Sequence, residues 1–386
     1  MKILTVDVGT GTQDILLYDS RFDLENGFKM VLPSPTMIVH QKIKAATRRR
    51  EAVLLDGVTM GGGPSGWAAE AHLKAGLPLY ATPDAARSIN DDLDVIRAMG
   101  VQLIGEDEAR RLGDSVRRIE LLDFDFAAIH KTFETFGVSL EDLDAVAVAV
   151  FDHGAAPPDV SDRKFRFDYL DERIRATAGQ GSRSQLAAFA YPREQVPAIM
   201  TRMQAVVDSA TNVGAPLIVM DTAPAAVLGA MFDPQLVERE QLIVANVGNF
   251  HTLAFRFGSE GIEGVFEHHT GLLKLPDLES LIARLADGSL SNPEVFDHHG
   301  HGALMYAPGA FDLAAGHFGT AVTGPRRSML RDSFVLRPYF AVPFGDMMIA
   351  GCFGLLYAAA KLLPSGDELL DQLNRKEASS RAPWDD

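Results

Sequence analysis

Two stretches of the chain are written to one pattern. Ile3–Asp19 reads ILTVDVGTGTQDILLYD, and Leu242–Phe257 reads LIVANVGNFHTLAFRF. Each is an apolar strand, a small polar residue, Val-Gly, a short polar turn, a Thr and a second apolar strand, which predicts a hairpin cornered on glycine. One such corner, placed in each half of the chain, constrains the architecture to two related halves that can face each other across a cleft.

A tight turn built from Gly9, Thr10, Gly11 and Thr12 exposes successive backbone N–H groups and lets an anion approach the main chain closely. Asp7, at the end of the first strand, is placed where a carboxylate can hold Mg2+ or its water shell beside phosphates. Read alone, DVGTGTQD is equally a plain hairpin turn, since Gly, Thr and Asp are turn residues. The second copy, with Gly248, Asn249, His251 and Thr252 in its corner, favours the phosphate reading. His251 sits where it can donate to phosphates.

At 386 residues the chain exceeds the size at which a single core stops growing, so two domains are expected. A formal charge of −16 argues against nucleic-acid or anionic-membrane partners, which require clustered Lys and Arg. Met1-Lys2 leads directly into a strand, so no secretory signal is expected. The apolar run Met347–Leu363 is rich in Gly and Ala and reads as a buried interdomain helix rather than a membrane span. The single cysteine, Cys352, lies within it and fits a reducing, cytoplasmic setting.

Along the chain, Thr36–His40 is expected to add a third strand to the first hairpin. The segment from Ala52 to Gly76 then reads strand, glycine turn, helix. Leu77–Thr82, Val101–Gly105 and Ala145–Phe151 continue as strands, interleaved with helices at Asn90–Met99 and Phe124–Phe136. Continuous apolar strands alternating with helices predict a mostly parallel sheet covered on both faces. Ala155–Ala190, with Arg163, Lys164, Arg166, Arg173, Arg175 and Arg183, reads as an irregular surface excursion able to grip an anionic small molecule. A helix over Glu194–Val207, the strand Ala215–Asp221 and the helix Thr222–Phe232 follow. The tail after Leu373 reads as loosely held.

Three further features bear on chemistry. Asp152 in VFDHG ends a core strand, where it is either a general base facing the cleft or a turn-capping aspartate. GGGPSG, Gly61–Gly66, satisfies G-x-G-x-x-G between a strand and a helix, so a dinucleotide-dependent enzyme is an alternative reading. Against it, the motif lies outside the first βαβ unit, Pro64 stiffens the loop, and no acid ends the next strand. Finally, His268, His269, His298, His299 and His301 crowd together. His268, His269, His299 and His301 are candidate ligands for an additional divalent metal, with a solvated polar loop or substrate hydrogen bonding as the alternative.

These segments together resemble the actin-like ATPase superfamily that includes acetate and sugar kinases and the heat-shock chaperone ATPases. The first phosphate motif resembles Asp7–Thr12 and the second Asn246–Thr252. The first connecting helix resembles Asp221–Asp233, the adenosine turn Ala321–Arg327 with Gly324, and the second connecting helix the segment from Gly345. More closely, the chain looks like an uncharacterised branch labelled pyruvate formate-lyase activating enzyme. The resemblance implies an α/β, two-domain ribonuclease H-like fold with a nucleotide cleft between related halves. It implies an N-terminal domain over 1–232 carrying an inserted βαβ region, and a C-terminal domain over 233–386. It implies ATP and Mg2+ as ligands, and a phosphotransferase or ATP hydrolase. Asn246 stands where the family often has a second Asp, which favours the alternative of a non-enzymatic ATP switch acting on a partner protein. Asp221 or Asp152 are candidates to supply the missing carboxylate. Radical chemistry is not expected, because an iron–sulfur cluster requires a cysteine triad.

Overall fold

The computed structural model describes residues 1–157 and 159–374, so the expected loose tail lies, from residue 375 on, outside the described residues. β1 (Lys2–Val8) and β2 (Thr12–Asp19) pair as the first hairpin, and β3 (Phe28–Pro33) adds antiparallel to β2. β8 (Ala145–Val150) and β10 (Leu217–Asp221) extend the sheet in parallel on the other side, and β9 (Ala190–Pro192) closes its edge. The strand order is β3-β2-β1-β8-β10-β9. Every residue of β8 and β10 is buried, which is why both read as continuous apolar runs.

The second half repeats this plan. β11 (Leu242–Val247), β12 (His251–Gly258) and β13 (Gly261–His269) form an antiparallel meander, with β14 (Gly302–Met305) beyond it. β15 (Thr320–Thr323) and β16 (Pro338–Phe340) add in parallel next to β11, giving the order β14-β13-β12-β11-β15-β16. Apart from one edge strand each, both sheets therefore have the ribonuclease H-like order in which a three-strand meander is followed by two parallel strands. The chain thus has the two-part α/β architecture of the actin and sugar kinase type. Between β3 and β8 is inserted a third, all-parallel sheet of order β6-β5-β4-β7, made of β4 (Ala52–Gly57), β5 (Leu79–Ala81), β6 (Gln102–Leu103) and β7 (Val116–Leu121).

Several local expectations are corrected. Thr36–His40 lies within the helix Pro35–Arg49, started by the Ser34 hydroxyl accepting from the Met37 N–H at 3.3 Å, with Pro35 at the first turn. The third strand comes earlier, at β3. Ala155–Ala190 is not irregular, because it holds the helices Asp162–Ala176 and Ser182–Ala187. Phe167, Leu170 and Ile174 form the buried face of the first, and the dense charges on its other faces hide that spacing. Glu194–Val207 is not one helix: a 3-10 turn over Arg193–Gln195 is followed, past Pro197, by the α-helix Thr201–Ser209. β7 was not legible as a strand because Arg117, Arg118 and Glu120 face solvent at the sheet edge.

The helices Thr222–Ala230 and Ala350–Leu362 each follow the last parallel strand of their half and cross at the centre of the molecule. Their backbones meet because glycine occupies both contact points. A Cβ on Gly229 would overlap the Ala350 carbonyl, and one on Gly354 would overlap that of Ala225. The apolar run Met347–Leu363 is accordingly a buried helix. Among the described residues no helix is long and apolar enough to cross a membrane. Gly354→Ala is expected to destabilise the fold by about 2–3 kcal/mol through overpacking. Gly113→Ala, with nothing near its added Cβ, serves as a neutral reference. Urea denaturation midpoints for the two variants make the comparison, and equal midpoints would refute the crossing as a close backbone contact.

Candidate functional site

The two hairpin turns face one cavity of about 480 Å3, walled by Asp7, Gly9–Thr12, Asp14, Gly61–Gly63, Asn246, Gly248–His251, Gly324 and Gly351. The turns are built alike. Gly9 N–H donates to the Thr12 carbonyl at 2.9 Å, and Gly248 N–H donates to the His251 carbonyl at 3.0 Å. This equivalence places Asn246 at the position of Asp7, Leu253 at that of Asp14 and His251 at that of Thr12. The turns also abut, since a Cβ on Gly11 would lie 2.7 Å from the Asn249 side-chain nitrogen. Gly248 does not adopt a positive φ; its lack of a side chain matters because a Cβ there would stand 2.6 Å from the His251 carbonyl oxygen. Gly324 does have positive φ, +97°, and packs its bare Cα against the Asn246 amide and the Val247 carbonyl.

The acids separate into two kinds. Asp7 and Asp14 are register partners on β1 and β2 and both face the cavity. Asp7 accepts from the Thr222 hydroxyl at 2.6 Å, and burial raises its pKa to about 6. Asp14, which sequence reasoning missed, is pushed up to about 8 by burial and then by the neighbouring Asp7, and its Oδ1 has no hydrogen-bond partner. The period-2 register opposite Asp7 was the signal that could have found it. A Cβ on Gly351 would overlap the Asp7 carboxylate, so the helix from Ala350 begins directly on this pair. Asp152 also lines the cavity, but each of its oxygens is already tied to the backbone, accepting from Gly154 N–H at 2.8 Å and Met203 N–H at 2.9 Å. Asp221 accepts from Arg166 at 2.7 Å and from Ala223 N–H at 2.9 Å. Both carboxylates thus hold backbone or Arg166 partners in this geometry. Thr252 also points away from the cavity, its hydroxyl meeting that of Thr270 at 2.9 Å.

Gly61–Gly63 forms a further wall of the cavity, with Gly63 against Phe250 of the second turn. It follows β4, the first strand of the inserted parallel sheet, so the motif does open a βαβ unit, unlike the expectation above. Its glycines are nonetheless filled by protein. A Cβ on Gly61 would overlap Arg202, on Gly62 the Ser88 carbonyl, and on Gly63 it would lie 2.8 Å from the Phe250 ring. Gly61 N–H is directed at Asp123, which also binds Arg202 at 2.6 Å. The close backbone approach that a pyrophosphate needs is thus taken by other protein atoms.

The arginines do not form an anion-gripping surface. Arg166 is 0% exposed, donating to Asp221, to Glu267 at 2.7 Å and to the Asp152 carbonyl at 2.9 Å. Arg163 donates to the Phe296 and Gly300 carbonyls, Arg173 to that of Ala188, Arg175 to Asp171, and Arg183 to the Met231 carbonyl.

The histidines regroup as well. His251, His269 and His301 each bring a ring nitrogen within 4.8 Å of the others. His268 is held away by hydrogen bonds to the carbonyls of His269 at 3.2 Å and His298 at 3.1 Å, and His299 is exposed. Burial holds His251 down at about 3 and His301 at about 2, and lowers His269, so all three imidazoles are neutral near pH 7. His251 also stacks on Phe151 with ring centres 4.2 Å apart.

A family model described as "Putative pyruvate format-lyase activating enzyme (DUF1786)" matches residues 60–329, and the chain belongs to that family. No curated protein is similar to the chain at a significant level. Among solved structures, the chain is similar to the activator of the 2-hydroxyisocaproyl-CoA dehydratase from Clostridium difficile with bound ADPNP. The identity is 9%, over 98% of this chain and 100% of that one, with a TM-score of 0.34. It is similar also to a ROK family transcriptional regulator homologous to the E. coli MLC protein, at 8% identity over 68% and 37% of the chains, TM-score 0.24. A nucleotide-free acetone carboxylase gives 9% identity over 68% and 45%, TM-score 0.21. At these values the likenesses bear on neither ligand nor activity.

The acid pair generates a pH prediction. Folded Asp14 keeps its proton up to about pH 8, whereas the unfolded chain releases it near the ordinary 3.8, so the unfolded state holds fewer protons throughout that window. Stability therefore falls as pH rises from about 4 to about 8. Asp14→Asn removes this term. The variant is expected to match the parent near pH 4 and to exceed it at pH 8 by on the order of a few kcal/mol. Denaturant titrations at the two pH values decide it; a pH-independent difference would show that burial does not hold the proton.

Proposed function

We propose that this member of the DUF1786 family binds ATP with Mg2+ in the cleft between its two hairpin turns and acts as a phosphotransferase or ATP hydrolase on a small molecule. The observation that carries this reading is the meeting of two identically built glycine turns over a cavity floored by the Asp7/Asp14 pair. Phosphoryl transfer depends mostly on positioning and charge neutralisation. The turns let phosphates approach the backbone, and Asp7 is the carboxylate placed to hold the magnesium ion or its water. Asp14 adds charge beside it once a cation displaces its proton. Gly324, packed on Asn246, supports the adenosine side. In this reading residues 1–232 and 233–386 form the two bodies that close on the ligand, with cleft closure as the working motion.

A second reading, an ATP-dependent switch without its own fast turnover, is favoured by one feature. Asn246 replaces by an amide the charge that Asp7 supplies on the other side. The activating-enzyme label of the family does not extend here to radical chemistry. Cys352 is the one cysteine of the sequence, it is buried, and its Sγ faces the Asp14 carbonyl at 3.1 Å, so the chain offers no thiolate triad for a cluster.

Thermal-shift titration with ATP, with and without Mg2+, tests the reading, since ligand at 100 times its dissociation constant adds about 2.7 kcal/mol of stability. Asp7→Ala is expected to lose the magnesium-dependent part and retain weak binding of free ATP. Gly11→Val is expected to lose both, because the branched side chain fills the space between the turns. Folded Gly11→Val protein that binds ATP like the parent would sink the proposal. If binding holds, steady-state phosphate release separates the enzyme from the switch.

A further inference from the structure

We propose that His251, His269 and His301 hold a divalent transition-metal ion of the zinc class, with the Glu267 carboxylate hydrogen-bonding behind His301. The site is distinct from the magnesium position at Asp7 and stands independently of the nucleotide reading. Its ligand set also differs from the one suggested by the histidine-rich sequence, which included His268 and His299.

The positions of the three rings are fixed by backbone pairing. His251 and His269 are direct register partners on β12 and β13, and His301 is anchored by its N–H donating to the Glu267 carbonyl at 2.9 Å. Ring centres are 4.6–5.3 Å apart. A tetrahedral ion with Zn–N bonds of about 2.1 Å holds its nitrogens about 3.4 Å apart, so small ring rotations contract the observed 4.8 Å limit to a ligating geometry.

Two orphaned atoms point independently to a ligand. His301 Nδ1 and Glu267 Oε1 are both buried, both lack a hydrogen-bond partner, and lie 3.6 Å apart. An ion on His301 Nε2 fixes the tautomer with Nδ1 protonated, and that N–H then donates to Glu267. This is the carboxylate–histidine–metal arrangement by which outer carboxylates orient ligating imidazoles. The surrounding charge is favourable, since the Arg166 guanidinium faces two carboxyl groups, Asp221 and Glu267, and the cluster has room for one more positive charge.

The donor type sets the class of ion. Three neutral imidazoles suit Zn2+, Co2+, Ni2+ or Cu2+ and not Mg2+ or Ca2+, which take oxygen ligands. Three protein ligands leave one coordination position open, for water or for an anionic group of a molecule in the cleft that His251 lines.

Co2+ titration of chelator-treated full-length protein tests the proposal through the visible absorption of tetrahedral cobalt, with elemental analysis of zinc-loaded protein as the second measurement. The expected result is about one ion per chain, Zn2+ displacing Co2+. Ligand loss in His269→Ala or His301→Ala is expected to weaken binding at least tenfold, while His298→Ala and His299→Ala, close in sequence, bind as the parent does. Circular dichroism verifies folding of each variant. If the His301 variant does not fold, the parent and the half-buried His269 variant still decide. Parent protein that gives no tetrahedral cobalt spectrum, or a His299→Ala loss equal to that of His269→Ala, overturns the site.

Discussion

The buried guanidinium of Arg166 is the point on which the architecture around the cleft turns. It reaches from the helix Asp162–Ala176 to Asp221 at the end of β10, to the Asp152 carbonyl after β8, and to Glu267 on β13. Thus one side chain ties the first sheet to the second. Ions so deeply buried are tolerated only when paired, and removing one partner of such a group costs about 3–5 kcal/mol. Its effect extends further by stacking. Arg166 lies 4.0 Å over the Phe151 ring, and Phe151 stacks on His251 at 4.2 Å, so the position of the second hairpin turn is set from the interior outward.

The two halves share a topology but divide the chemistry. Equivalent positions carry Asp7 and Asn246, Asp14 and Leu253, Thr12 and His251. The first hairpin is therefore acidic at its foot, while the second is uncharged there and carries an imidazole in its turn. Equal backbone with unequal side chains is what a cleft needs in order to hold an asymmetric ligand in one orientation. The same asymmetry puts the Asp7 and Asp14 carboxyl groups on one hairpin and His251 and His269 of the histidine trio on the other.

The sequence was most informative where local rules act alone. Both hairpins, their glycine corners and the parallel core strands follow from strand pattern and turn chemistry, and the glycine-rich turn before the helix at Pro64 was equally visible. It was least informative where charge and burial part company. Arg166 reads with its neighbours as solvated surface, because nothing local distinguishes a buried guanidinium from an exposed one; its carboxylate partners are 55 and 101 positions away. The histidine trio failed for a related reason. His268 and His269 adjoin, yet alternation along β13 sends His269 to the trio and His268 to backbone carbonyls, and only strand register chooses between them. Asp14 was hidden because the turn drew attention to glycine and threonine, although its pairing with Asp7 follows from the hairpin itself.

Charge then constrains how the cleft can work. Asp7 and Asp14 face each other at its floor with raised pKa values, and Asp346 adds further repulsion at Asp14. A polyphosphate brought to this floor alone would meet like charge in a poorly solvated space, where Coulomb terms are larger than in water. A divalent cation would reverse the sign of that term, since it would displace the protons and, held by the Asp7 and Asp14 carboxylates, present positive charge to the phosphates. Under the proposed function, metal and nucleotide binding would therefore be coupled, each raising the affinity for the other by the same factor. The proton leaving Asp14 would link both to pH, so that cation binding would strengthen as pH rises toward 8.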